Sequence, residues 1–245
     1  MKGFIIALQF LTRLPTPQVT AGDDDFARSM RWFPAVGLVI GSIVASAAWV
    51  GARDDNWTGA LAALVAWVGV TGALHLDGLS DLADASGAAH KASGAAHIER
   101  ARFLAVMADP HVGSFGVVAV ALQLIAKLIL LHGLIDAQLF GALLLIPFAA
   151  RIGPLVWACW LPPLHAGLAA RFTSAVGIGH IAAWGVLLGA GLVVAPAIIA
   201  APILIAAWGL WLLLRVGGVS GDCHGAGIEL VETGLLAALL IGRHF

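Results

Sequence analysis

Apolar runs of membrane length dominate this chain and restrict what it can fold into. Phe33–Val50, Trp57–Leu76, Phe115–Leu131 and Leu139–Leu161 each approach the roughly 20 residues that carry a helix through a bilayer. Ile178–Leu214 is too long for one crossing. Pro196 and Pro202 interrupt it near the middle, where proline removes a helical hydrogen bond, so it reads as two crossings joined near Ala197–Ala201. Ile228–Ile241 is shorter and carries Glu229 and Glu232, which leaves it as a seventh crossing or an interfacial helix. The Phe4–Leu14 run has no small-residue cleavage site after it and fits an interfacial or re-entrant helix better than a signal peptide. The expected fold is all-α: a polytopic integral membrane helical bundle of six to seven transmembrane helices plus a short N-terminal interfacial or re-entrant helix. Residues 1–245 then form a single membrane-embedded domain.

Composition closes off the alternatives. The chain is 60% hydrophobic and 11% charged, against roughly 45–50% apolar and about 25% charged in soluble domains. A soluble enzyme, a disordered tail and a coiled coil are excluded. A net charge of −1 argues against nucleic acid as a partner. Cys159 and Cys223 make no disulfide framework or zinc pattern and are expected as free thiols.

Positive charge orients the bundle. Lys2, Arg13, Arg28 and Arg31 precede the first long run, and Lys91, Arg100 and Arg102 lie in the 77–114 connection, two crossings later. Both segments therefore share a side, expected to be cytoplasmic. The polar, glycine-rich 215–227 segment falls on the same side.

Asp77, Asp81 and Asp84 follow the second run at spacing i, i+4, i+7, within about 60° on one helical face. Three carboxylates without a base nearby repel unless a cation neutralises them. Oxygen-only ligands favour a hard ion such as Mg²⁺, which characteristically adds waters and substrate phosphates to its carboxylates. Asp109 and His111 sit just before the third run, and Asp222 and His224 lie in the glycine-rich segment with Gly218 and Gly221. Together these are expected to form one site. Lys127 and Arg151 fall inside apolar runs and must face the bundle interior, toward an anionic substrate or a buried carboxylate. Ser86–His90 and Ser93–His97 repeat the same five residues, and the pair His90 and His97 reads as drift in a variable loop rather than a metal site.

The sequence resembles the cobalamin synthase (adenosylcobinamide-GDP ribazoletransferase) family. The likeness runs through Phe10–Pro15, Phe33–Pro34, His75-Leu-Asp-Gly-Leu-Ser-Asp81 with Asp84, Glu99–Arg100, Asp109, Gly113, Arg151 and Gly217–Leu230. The resemblance implies a Mg²⁺-dependent enzyme of the cell inner membrane with its site facing the cytoplasm. Such an enzyme joins adenosylcobinamide-GDP to α-ribazole, or to α-ribazole 5′-phosphate, and releases GMP. On this basis Asp77, Asp81 and Asp84 are expected to hold the metal, with one of them or Asp109 as general base. Arg13, His75, Arg100, Arg102, Arg151, Gly218, Gly221 and Asp222 are expected to bind substrate. Expected partners are the corrinoid nucleotide, α-ribazole, the lipid bilayer and other enzymes of the corrinoid pathway. The chain departs from the family near Ala108 and His111, where basic residues are usual. Two other readings remain at this point: a CDP-alcohol phosphotransferase of lipid synthesis, and a cation transporter with carboxylates along a midplane path.

Overall fold

Uninterrupted apolar sequence makes helices here because a backbone in lipid must satisfy its own hydrogen bonds. The computed structural model describes residues 1–90, 96–107, 109, 111–164, 171–172 and 175–243, apart from the side chains of 89–90 and 96–100. The elements are α1 (Lys2–Leu11), α2 (Asp23–Ser29), α3 (Phe33–Gly51), α4 (Asn56–Thr71), α5 (Leu74–His90) and α6 (Ala96–Met107). They continue with α7 (Ser114–Asp136), α8 (Phe140–Ala150), α9 (Ile152–Trp160), α10 (Ile178–Gly191), α11 (Ala200–Trp211) and α12 (Gly221–Gly242). No strand occurs among the described residues; a single bridge ties Pro163 to Val219.

Among the described residues five helical stretches are long and apolar enough to cross a membrane: Asp23–Gly51, α7, Phe140–Trp160, Pro196–Val216 and α12. The helix α4, with 16 residues, passes the same test only together with α5, which is bent away from it by 85°. The helix α10 has only 14 residues. The segment around it joins the two ends of the Phe140–Trp160 stretch: Val176 before it accepts from Cys159 Sγ, and Val194 after it packs beside Gly141. The bundle is thus a polytopic membrane protein with α1 as a short apolar helix at one end. Val117, Val118, Leu122, Ile125 and Ile129 face outward along α7, as a lipid-contacting helix requires.

Several boundaries move relative to the sequence reading. The second crossing ends at Thr71 rather than Leu76, because Gly72 and Ala73 both turn left-handed at φ 61° and 59°. The turn inside Ile178–Leu214 falls at Leu192–Ala195, and Pro196 opens the next helix instead of sitting in the turn. The last helix begins seven residues before Ile228: Ser220 caps it by accepting from the Cys223 N–H at 3.2 Å, so most of the glycine-rich segment is helical. Those glycines allow close packing. A Cβ on Gly78 would sit 2.8 Å from the Asp222 carbonyl oxygen, and one on Gly225 would lie 3.3 Å from His75 Cα. The helix α5 therefore lies flat across the first turns of α12 at one end of the bundle and outside the crossings.

Candidate active site

The corner between α4 and α5 places the site. Ala73 N–H reaches Val68 O at 3.1 Å and closes α4, while Arg13 N–H donates to Val70 O at 2.8 Å and holds the N-terminal segment against the turn. The Arg13 side chain packs over Gly72, where any Cβ would overlap it. Arg13 is exposed but lines neither of the cavities described below.

From that corner α5 presents its aspartates in graded burial. Asp77 is exposed, Asp81 is half-buried and Asp84 is buried. Burial pushes the Asp81 carboxyl up to about 6, helped by the like charges of Asp77, Asp222 and Asp84. Four carboxylates from α5 and the first turn of α12 thus share one electrostatic neighbourhood. Asp84 faces away from the others' task. Its two oxygens accept from the Gly113 and Gly116 N–H groups at 2.7 and 2.9 Å, so it caps α7 and satisfies two donors that helix would otherwise leave bare. The expected three-carboxylate metal cage is corrected accordingly: among the described residues no three acidic, histidine or cysteine side chains converge on one point. Asp77, Asp81 and Asp222 remain as donors suited to Mg²⁺, which needs only one or two protein carboxylates when phosphate oxygens and water complete its shell.

Beside Asp77 and Asp222 opens a cavity of about 210 Å³. Phe10, Phe33 and Phe172 form its aromatic wall, and His75, His224, Gly221 and Ile228 line it with both aspartates. A second, more open cavity of about 350 Å³ lies at the α7 start and is lined by Arg102, Asp109, His111 and Asp84. There Asp109 Oδ1 accepts from His111 N–H at 3.0 Å and meets His111 Nδ1 at 2.6 Å. These hydrogen bonds hold the exposed Asp109 carboxyl below its usual value, which makes it a poor base.

Other expectations are redistributed. Arg151 is fully buried and pairs with Glu232, so it does not reach substrate; the sequence pattern allowed a carboxylate partner, and the last helix provides it. Lys127 bridges Glu229 at 2.6 Å and Glu232 at 2.5 Å, beneath the Trp67 ring, and Gln123 donates to Glu229 at 2.9 Å. These midspan carboxylates are neutralised by cations, which removes the charged path a transporter needs. Gly218 packs against the Pro162 carbonyl and Leu164 and does not line the cavity. The side chain of Arg100, and those of His90 and His97, lie outside the described residues. His224 lines the cavity as the sequence leads one to expect, but the Phe10–Phe33–Phe172 wall is not part of the expected site. Phe10 and Phe33 appeared only within a matched motif, and no spacing signal joins residues so distant in sequence.

The family model described as cobalamin-5-phosphate synthase matches residues 3–240. The chain belongs to the cobalamin-5-phosphate synthase family. It is 63% identical to the adenosylcobinamide-GDP ribazoletransferase of Novosphingobium aromaticivorans, over 98% of this chain and 97% of that relative. It is 48% identical to the protein of the same name from Thiobacillus denitrificans (98% of this chain, 94% of the relative). With Brevibacillus brevis the identity is 33% (98% of each chain). No solved structure matches. Membership makes the chain a transferase of cobalamin synthesis and sets aside the lipid-synthesis and transporter readings.

Proposed function

We propose that this chain transfers the cobinamide phosphate of adenosylcobinamide-GDP to a ribose hydroxyl of α-ribazole or its 5′-phosphate, with release of GMP, at the cytoplasmic face of the inner membrane. The observation that carries the reading is the placing of Asp77 and Asp222 on the wall of an apolar cavity, with Asp81 in the same electrostatic neighbourhood. The ribose oxygen attacks the phosphorus attached to cobinamide, the pyrophosphate P–O bond breaks, and its electron pair leaves with GMP. The hydroxyl proton passes to Asp77, the exposed carboxylate on the cavity wall. One or two of Asp77, Asp81 and Asp222 would hold Mg²⁺, which would supply charge neutralisation for the phosphates. Arg102 stands on the same end of the bundle as a cation for phosphate oxygens.

The test incubates the purified protein with adenosylcobinamide-GDP, α-ribazole and Mg²⁺ and measures GMP and completed corrinoid. Product should form and stop with chelator. Asp77→Asn should lower turnover about 10²–10⁴-fold while the helical content and melting stay as in wild type. A folded Asp77→Asn protein with wild-type turnover would remove Asp77 from the reaction.

A further inference from the structure

The apolar cavity contains two buried imidazoles with unused hydrogen-bonding atoms. His75 is 3% exposed and its Nε2 has no partner; His224 is 6% exposed and neither of its ring nitrogens has one. An unsatisfied buried polar atom is costly unless something completes it. The state of His75 is fixed by its neighbour. Arg151 NH2 lies 3.3 Å from His75 Nδ1, and a guanidinium can only donate, so Nδ1 accepts and the proton sits on Nε2. Glu232 in turn holds Arg151. The bundle therefore presents a fixed N–H donor at the wall of an aromatic-lined space.

We propose that this cavity seats the flat, bicyclic, mostly apolar base of the nucleoside substrate, with His75 Nε2–H donating to the base's one free ring nitrogen. The assignment rests on the reaction proposed above and adds to it where the nucleoside lies and what selects it. Size agrees: a cavity of about 150 Å³ holds benzene, and about 210 Å³ suits a fused two-ring heterocycle. Chemistry agrees as well. A benzimidazole offers one acceptor and otherwise carbon, which matches Phe10, Phe33, Phe172 and Ile228 around the donor that Arg151 fixes on His75. Guanine carries several donors and acceptors along its edge, and pairing them would draw on Asp77 and Asp222, the carboxylates assigned above to the ribose hydroxyl and the phosphates. A corrin is too large. With the base inside, the ribose emerges beside Asp77 and Asp222, where its hydroxyl must react.

The experiment compares benzimidazole riboside with indole riboside, in which the acceptor nitrogen becomes C–H. Wild type should show a KM at least tenfold higher for the indole compound, and His75→Phe should bring the two values together. Free benzimidazole should compete with the nucleoside and not with adenosylcobinamide-GDP. This second measurement needs only wild-type protein and stands even where His75→Phe fails to fold. Equal KM values in wild type, or competition against adenosylcobinamide-GDP, would overturn the assignment. Failure of wild type to release GMP from any nucleoside would instead remove the proposed reaction, while quenching of tryptophan fluorescence by benzimidazole would still report occupancy of the cavity, and its absence would refute the seat.

Discussion

Glu232→Leu tests the charge network that locks the bundle. Glu232 is fully buried near the midpoint of α12 and holds two cations, Lys127 through one oxygen and Arg151 through the other. Lys127, Arg151, Glu229 and Glu232 together are neutral, so deleting Glu232 strands one positive charge in the bundle interior. Each lost charge-assisted hydrogen bond is worth about 1.5–3 kcal/mol, and breaking a buried pair on one side typically costs about 3–5 kcal/mol. A loss of about 4 kcal/mol is expected, measured by SDS titration of the detergent-solubilised protein with helical content as the signal. The double variant Arg151→Met/Glu232→Leu restores neutrality, leaving the Lys127–Glu229 pair at 2.6 Å. It should recover at least half of that loss, because coupled partners are non-additive. A single variant within about 1 kcal/mol of wild type, or a double variant as unstable as both losses summed, would refute the picture of a sealed, mutually neutral network.

Two further outcomes follow from α5. Asp84→Ala should lower stability by about 1–3 kcal/mol through loss of the α7 cap, with Mg²⁺ affinity by calorimetry unchanged, since its oxygens are committed to Gly113 and Gly116. Asp81 has a folded-state value near 6, above its ordinary 3.8, so the folded protein binds more protons than the unfolded chain between those values. Stability of the metal-free protein should therefore fall as pH rises from 4 to 6, and Asp81→Asn should flatten that slope in thermal melts.

The crossings were legible because lipid imposes a length and a polarity on sequence that local propensity cannot disguise. Thus Phe33–Val50 matches α3 within a residue. Nothing in the glycine-rich 215–227 segment announces the start of α12, because glycine is a poor helix former. What overrides this is the Ser220 cap and the close seat of Gly225 under His75, both tertiary facts. The i, i+4, i+7 spacing correctly put three aspartates on one helix. It did not show that α5 turns its far end into α7, so that Asp84 accepts from Gly113 and Gly116, whereas the expected meeting of Asp222 with Asp77 is what the cavity wall shows. The partners of Arg151 and Lys127 were equally hidden: Glu229 and Glu232 were visible as charges, but only packing brings them to the same point.

The cavity wall is assembled from Phe10, from the His75–Asp77 turn, from Phe172 and from the opening of α12. No shorter stretch of the polypeptide holds it. During synthesis the ribosome delivers these pieces in order, and the chamber has no back until the final helix has entered the bilayer. A copy truncated before Gly221 would therefore lack the wall that Gly221, Asp222, His224, Gly225 and Ile228 supply.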